Sequence, residues 1–243
     1  MTLQIFGCTL LCSITLLAFS CDSNKTNSKS TTTTLAANST PTPTQPSVNK
    51  IFEVTDEDLR EAYDGYEAKG EKQQTVSLGQ KQSLFLTAKT ITGGTETLKL
   101  TVMFLSPLDQ ARGKGYQFGL VAKTRTPEDR KDSEKASISL IRAAMNQVAF
   151  RVWLDQPKDA NASLPSVSYE LIDKDGNRIK ATTDPGAPVF TGDLSGDVAM
   201  AEEGAPLTFP LLNGTAPNLT NTMTKMVVVV KIDDKEANLE FKL

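Results

Sequence analysis

The chain of 243 residues contains no histidine. Because histidine is the commonest general base and transition-metal ligand near neutral pH, its absence excludes several mechanisms within this chain. They include Ser-His-Asp hydrolysis, Cys-His proteolysis and zinc sites with histidine ligands. The sequence also lacks a phosphate-binding loop motif. We therefore expect no cofactor and no metal centre, and the sequence singles out no catalytic residue.

Cysteine is confined to the first 21 residues, at Cys8, Cys12 and Cys21. The rest of the chain has neither a disulfide nor a thiolate, so a folded domain there must be stabilised by its core alone. A strong charge of one sign is also missing, since the net charge is −3. This balance does not indicate a nucleic acid or an anionic membrane surface as partner. The nearest basic cluster, Arg112-Gly-Lys114, is interpreted as a solvated loop.

The N-terminus is apolar and uncharged over residues 3–20 and ends on a small residue, Ser20. This length is typical of a signal peptide and short for a transmembrane span. The run Leu17-Ala-Phe-Ser-Cys21 resembles the lipobox of bacterial lipoprotein precursors. The resemblance covers these five residues only. It implies that signal peptide 1–20 is removed and that Cys21 carries acyl chains, such as palmitate, in a membrane. The alternative is an ordinary signal peptide, or a membrane anchor with an incidental cysteine.

The next segment, residues 21–50, consists mainly of Ser, Thr, Asn and Pro after Cys21. Such a composition buries too little apolar surface to offset its ordering entropy, so we expect a disordered tether. A lipid followed by a polar spacer would hold a domain clear of the headgroups. The expected location is the cell membrane or outer membrane, with the domain facing the periplasm or the cell exterior.

Residues 51–243 carry the patterns of a folded domain. Residues 55–69 predict a helix, with Thr55 as its cap, Asp58 three positions later and Gly70 at its end. A second helix, capped at Thr126 and reaching about residue 145, is favoured over the alternative of a strand there. Period-two alternation predicts strands, and these cover Leu84–Ile91, Leu98–Phe104, Tyr116–Leu120, Val148–Leu154, Val167–Leu171, Val228–Ile232 and Leu239–Leu243. The Gly- and Pro-rich region 181–218 is interpreted as long connections.

These patterns predict a mainly β fold: an antiparallel β-sandwich, Ig-like or jelly-roll-like, with one or two short helices after the tether. The alternative is two small β domains that meet near Pro157–Pro165. The run Asp173-Lys-Asp-Gly-Asn177 is interpreted as a hairpin turn rather than a calcium loop, because Gly and Glu are not at EF-hand positions. The segment Asp193–Asp197 is interpreted as a turn rather than a weak calcium site.

One aromatic side chain, Trp153, is weighed between two roles. It lies on the strand face opposite Val152 and Leu154, so it is a core residue if a second layer covers that face. If the face is exposed, Trp153 could stack on a glycan or a protein partner. The favoured hypothesis is a non-enzymatic, lipid-anchored envelope lipoprotein whose β domain serves binding or surface architecture. The alternatives are a carboxylate-based hydrolase acting on glycans and an accessory subunit of an envelope complex.

Overall fold

The computed structural model describes residues 47–190 and 204–243. The signal peptide, Cys21, most of the tether and the Asp193–Asp197 segment lie outside the described residues. Within the described part, strands account for more residues than helices. No helix there has the length and apolar character needed to cross a bilayer.

Two four-stranded antiparallel sheets form the domain, so the predicted mainly β, antiparallel fold is confirmed. The first sheet has the order β1-β2-β3-β6, and the second has the order β10-β9-β4-β5. A two-stranded ribbon, β7-β8, lies beside them. The strands are β1 Gln80–Lys89, β2 Thr95–Leu105, β3 Gln147–Leu154, β4 Val167–Ile172, β5 Arg178–Lys180, β6 Ala205–Pro210, β7 Leu212–Asn213, β8 Ala216–Pro217, β9 Lys225–Ile232 and β10 Lys235–Lys242.

The inward faces of the two sheets share one buried core. The alternating residues of the predicted strands supply most of it, and Leu207 and Phe209 of β6 are among the residues that complete it. At its centre, the ring of Phe150 on β3 lies 5.3 Å from that of Phe241 on β10 and 5.5 Å from that of Phe104 on β2. Edge-to-face aromatic pairs at such distances are favourable beyond the area they bury. Residues on both sides of Pro157–Pro165 contribute to this core, because the segment crosses from the first sheet to the second.

Three α-helices accompany the sheets: α1 Asp56–Glu71, α2 Pro107–Val121 and α3 Pro127–Ala143. Each begins with a capping box. The side chain of a Ser or Thr accepts a hydrogen bond from the backbone amide three residues later, and the Asp at that position accepts one from the backbone amide of the Ser or Thr. The pairs are Thr55 with Asp58, Ser106 with Asp109 and Thr126 with Asp129. The capping boxes at Thr55 and Thr126 agree with the predicted starts, and the helix alternative for residues 126–145 is confirmed.

The predicted strand Tyr116–Leu120 is wrong, since these residues lie in α2. Ser106 and Asp109, with a proline at the first helical position, start a helix that the alternating aromatic residues concealed. The predicted solvated loop around Arg112 and Lys114 is wrong for the same reason, because both residues are helical.

The interpretation of residues 181–218 as connections is wrong in part, because β6 pairs with β3 there. The backbone amide and carbonyl of Thr208 point away from β3 and form hydrogen bonds with the backbones of Thr182 and Thr183. Since backbone direction alternates along a strand, Pro206 and Pro210 also direct their nitrogens away from β3. Proline therefore costs this edge strand no bond to its neighbour.

Helices α1 and α2 pack with their backbones in close contact, because glycines of α2 face α1. A methyl group on Gly115 would overlap the carbonyl oxygen of Tyr63, and one on Gly119 would overlap that of Glu67. Gly70 contacts α2 in the same way, so it serves helix packing, and α1 continues one residue past the predicted end. The three helices share a small apolar cluster of their own around Leu59, Ala111, Ile138 and Ile141.

The Gly115→Ala substitution should lower the free energy of unfolding by about 2–3 kcal/mol, because α1 and α2 must separate to admit the methyl group. Gly65→Ala is the matched control, since nothing lies within 4 Å of the added methyl group. The control should stabilise the chain by about 0.5–1 kcal/mol through helix propensity. Urea unfolding followed by circular dichroism measures both variants, and equal stabilities would contradict this packing.

Candidate binding surface

The outward edge of β1 carries backbone groups that have no hydrogen-bond partner among residues 47–190 and 204–243. At its end, the Lys89 amide donates to the Ser163 carbonyl at 3.0 Å, and the Lys89 carbonyl accepts from the Ser163 amide at 2.8 Å. Both groups of Lys89 therefore point away from β2. Because this direction alternates along a strand, Ser83, Phe85 and Thr87 point the same way. Among the described residues, nothing hydrogen-bonds their backbone amides and carbonyls on that side.

The two ends of this edge are occupied, which fixes the length of the opening. At one end the Gln80 side chain donates to the Lys242 carbonyl at 2.9 Å and accepts from the Lys242 amide at 2.8 Å. At the other end lies the Lys89–Ser163 pair. We call the part between them, Ser83–Thr87, the open edge. At 3.4 Å per residue, its length is about 14 Å.

Between residues 83 and 87 the described structure shows no proline, bulge or covering element on the open edge. Natural edge strands are commonly blocked by these devices or by charged side chains, lysine especially. Here the register with β2 is continuous from Gln80 to Lys89, and the strand contains no proline. The lysines at positions 81 and 89 flank the open edge rather than lying within it. The edge can therefore accept an added strand.

An exposed aromatic residue stands in the middle of the open edge. The Phe85 side chain is 71% exposed, and it lies on the sheet face opposite the sandwich core. Lys99 is directly opposite it on β2, and Thr97 is opposite Thr87. We call the exposed set Ser83, Phe85, Thr87, Thr97 and Lys99 the Phe85 patch. It combines one large apolar ring with hydroxyl groups and a cation.

The helices cover only part of the sheet face on which Phe85 lies. They contact the sheet around Met103 and Leu105, where Tyr66 of α1 and Tyr116 of α2 pack. Trp153 belongs to this covered part, and its side chain is 3% exposed. The ligand-stacking alternative for Trp153 is therefore corrected in favour of the core role, because Tyr66, Tyr116 and Phe190 pack against its cluster. Phe85 is the large exposed aromatic residue on the described part of this face.

Two carboxylates lie in an open cleft of about 660 Å³ at the end of the β1–β2 hairpin, where a hydrolase would need a catalytic pair. Glu96 accepts from the Lys158 backbone amide at 2.9 Å, and Asp159 accepts from that of Ile91 at 2.9 Å. The hydrogen bonds from the backbone of Ile91 and Asn161 lower the pKa of Asp159. A carboxyl group so stabilised in its ionised form is a poor general acid. Through these hydrogen bonds, both side chains hold the connecting segment 155–166 against the β1–β2 hairpin.

A perturbed carboxyl group lies between α1 and α3. Burial raises the pKa of Glu67, although the Arg130 guanidinium lies 3.3 Å away and opposes that change. The neighbouring Tyr63 hydroxyl is also buried, and burial raises its pKa to about 12. The cleft between α1 and α3 is lined by Asp56, Arg60, Glu134, Lys135, Ile138, Ser139 and Arg142. Neither perturbed group lines it, so neither is presented to a substrate there.

The carboxylate of Asp173 stabilises a turn. Asp173 accepts from the Asp175 and Asn177 amides at 2.8 and 2.7 Å, which is the hairpin turn predicted between β4 and β5. Over residues 47–190 and 204–243, no group of three or more acidic, histidine or cysteine side chains is placed to hold a metal ion. The second segment considered for calcium, Asp193–Asp197, lies outside these ranges.

Comparison with protein-family models, with curated proteins and with solved structures gives no match to this chain. Its function is therefore argued from the fold and the surface alone. Of the residues weighed from the sequence, Trp153 is in the core and Cys21 is outside the described residues. The Phe85 patch was missed. The alternation along β1 could have indicated it, because Leu84, Leu86 and Ala88 share one face of the strand and Phe85 lies on the other.

The Glu67→Gln substitution should change how stability depends on pH. The pKa of Glu67 lies above its ordinary value of 4.5 in the folded chain, so folding favours the protonated form. As pH rises above about 4.5, ionised Glu67 should therefore reduce the free energy of unfolding. Glu67→Gln removes this loss. The free energy of unfolding of the variant, relative to that of the unsubstituted chain, should therefore increase as pH rises above about 4.5.

The companion variant is Arg130→Gln, which removes the guanidinium that lies 3.3 Å from Glu67 and opposes the rise in its pKa. Its free energy of unfolding should fall more steeply than that of the unsubstituted chain as pH rises above about 4.5. Urea unfolding at several pH values measures both differences. A Glu67→Gln variant that loses stability with rising pH would contradict the account of this buried carboxyl group.

Proposed function

We propose that this chain is a non-enzymatic, lipid-anchored lipoprotein of the bacterial cell envelope that binds a partner through the open edge of β1. The observation that carries the binding proposal is the unpaired backbone of Ser83, Phe85 and Thr87 beside an exposed aromatic ring. Adding a strand to an exposed sheet edge is a common mode of peptide recognition, in which main-chain hydrogen bonds give affinity and side chains give specificity.

The anchor proposal rests on the N-terminal sequence. Residues 17–21 resemble a lipobox, and acyl chains on Cys21 would attach the chain to the cell membrane or the outer membrane. Each buried CH₂ contributes about 0.8 kcal/mol, so two or more acyl chains give stable attachment. The domain would then face the periplasm or the cell exterior, at the end of the polar segment that follows Cys21.

The place where this segment joins the domain is firmly built, which supports a tethering role. Asn49 is 6% exposed, and its side-chain amide donates to the Thr220 and Met223 carbonyls at 2.9 Å each. Its backbone amide donates to the Leu219 carbonyl at 3.0 Å. A pull on the chain from its N-terminal side would therefore act on a buried hydrogen-bond network rather than on a fraying end.

The two alternative functions have less support. A glycan hydrolase would need an acid and a base or nucleophile in one cleft, whereas Glu96 and Asp159 both hold backbone amides. An accessory subunit of an envelope complex is a special case of the same proposal, in which the strand that fills the open edge belongs to a neighbouring subunit.

The anchor proposal is tested by the intact mass of the chain produced in a bacterial host. The unsubstituted chain should begin at Cys21 and carry acyl mass in the membrane fraction. Cys21→Ala should carry no acyl mass, because its thiol is the acceptor. Cys12→Ala is the matched control and should keep the acylated form. An unmodified product, identical in mass apart from the substitutions, would refute the anchor.

A further inference from the structure

The outer edge of β10 offers a comparison with the open edge, because both lie on the side of the sandwich where Gln80 contacts Lys242. The backbone of Lys242 points away from β9, so the backbones of Glu236 and Glu240 do as well. Charged side chains on an edge strand oppose the addition of another strand. Residues 83–87 carry no charged side chain. Of these two edges, the open edge of β1 is therefore the one suited to strand addition.

The charged residues around the open edge have both signs. In the row of Phe85, Lys99 on β2 is followed by Asp155, whose backbone amide donates to the Lys99 carbonyl at 3.0 Å. Lys81, next to Gln80, already has an interaction of its own. The hairpin end adds two lysines and two acidic residues, namely Lys89, Lys158, Glu96 and Asp159. A charged partner would be attracted by some of these residues and repelled by others, so charge does not select the partner.

Within the open edge, a large ring stands between two hydroxyl groups. The Phe85 side chain is 71% exposed, and Ser83 and Thr87 lie on either side of it on the same face. The Ser83 hydroxyl forms a hydrogen bond with the hydroxyl of Thr101 at 3.0 Å, and Thr101 is buried. At this end the open edge therefore borders the covered part of the sheet. The edge offers apolar contact at its centre and neutral polar contact on both sides.

We propose that the open edge binds an extended, uncharged segment of a partner protein that places a large apolar residue beside Phe85. This inference rests on the proposed use of the edge for binding. The three outward residues offer three amides and three carbonyls, and an extended backbone presents the matching alternation. The added strand becomes a fifth strand of the first sheet, between the Gln80–Lys242 and Lys89–Ser163 contacts.

The side chains of the added strand follow from its alternation. Its residues opposite Ser83, Phe85 and Thr87 share their face of the sheet, because facing residues in a ladder lie on one face. A large apolar residue beside Phe85 removes the ring from water, whereas a charged residue there would lose hydration. Serine or threonine two positions before and after it can pair with the hydroxyl groups of the edge. The alternate residues lie over Leu84, which is half-buried at the rim of the core, and are therefore apolar.

The probe is a rhodamine-labelled heptapeptide with blocked ends, Thr-Thr-Val-Leu-Val-Thr-Thr, whose pattern is the same in parallel and antiparallel orientation. Three control peptides each change one property. The acidic and basic peptides replace the second and sixth residues by glutamate or by lysine. The serine peptide replaces the central leucine, which is the residue expected to cover Phe85.

Fluorescence polarisation with the full chain measures the affinity of each peptide. The neutral peptide should bind at least about tenfold more tightly than the serine peptide, because only leucine buries apolar surface against the ring. Neither the acidic nor the basic peptide should bind more tightly than the neutral one. The affinity of the neutral peptide should not fall as salt rises, because screening weakens only interactions between charges.

The protein variant that tests the edge is Thr87→Pro. The amide of Thr87 points away from β2, so proline removes an outward donor without removing a bond of the sheet. Binding of the neutral peptide should weaken at least about tenfold, with the circular dichroism spectrum unchanged. Phe85→Ser should weaken it as well and should abolish the preference for leucine over serine. The matched control is Ile91→Ser, because Ile91 is 70% exposed but lies beyond the Lys89–Ser163 contact.

The remaining outcomes separate this inference from the proposed function. Tighter binding of a charged peptide, or equal binding of the neutral and serine peptides, would overturn the inference and leave edge binding intact if Thr87→Pro abolishes it. A dimer that Thr87→Pro abolishes, with no peptide bound, would overturn the inference and identify a second copy as the occupant. No peptide binding by a monomeric chain would overturn both the inference and the edge-binding part of the proposed function. The lipid anchor is judged separately by mass.

Discussion

The contact of Phe150 with aromatic rings from both sheets is the interaction on which the rest of the structure depends. Its ring lies 5.3 Å from Phe241 in the second sheet and 5.8 Å from Phe209 in its own. No cysteine follows position 21, so no disulfide connects the sheets and burial of the shared core must hold them together. Hydrogen bonds at the two sides then fix how the sheet edges meet. They join the backbones of Thr183 and Thr208 on one side, and the Gln80 side chain to the Lys242 backbone on the other.

This arrangement leaves the two outer faces with different properties. On the second sheet, Glu170 contacts Lys231 at 2.8 Å and Arg178 at 3.3 Å, and Arg178 also binds both carboxylate oxygens of Glu236. Those charges neutralise one another, so a partner would have to displace them. On the first sheet, close packing of α1 on α2 over glycines confines the helices to one part of the face. The other part keeps an exposed ring and lysines beside an unpaired strand edge, which is why we place binding there.

Much of the sandwich could be predicted because its strands alternate strictly, with one face buried and the other exposed. The hairpin turn at Asp173–Asn177 and the caps at Thr55 and Thr126 depend on local chemistry, so they were also predictable. Helix α2 could not be recognised from its periodicity. Its glycines are required by contact with α1, a tertiary constraint that makes the local sequence look like a loop.

The candidate binding surface was harder to predict from the sequence than the fold. The alternation along each strand places Trp153 and Phe85 on the outer face of the sheet. Which of the two is covered depends on residues distant in sequence, among them Tyr66, Tyr116 and Phe190, which pack against the cluster of Trp153. Strand β6 was missed because prolines argue against a strand, and they are tolerated only because their nitrogens point away from β3. In each case the prediction required knowing which face or edge of the strand another part of the fold covers.

The most direct test of this account is amide hydrogen exchange of the full chain, measured residue by residue along β1. The amides of Gln82, Leu84 and Leu86 should exchange slowly, because they face β2. Those of Ser83, Phe85 and Thr87 should exchange far faster, because they face solvent. Equal and slow exchange of both sets would contradict the account, since the edge would then already be covered.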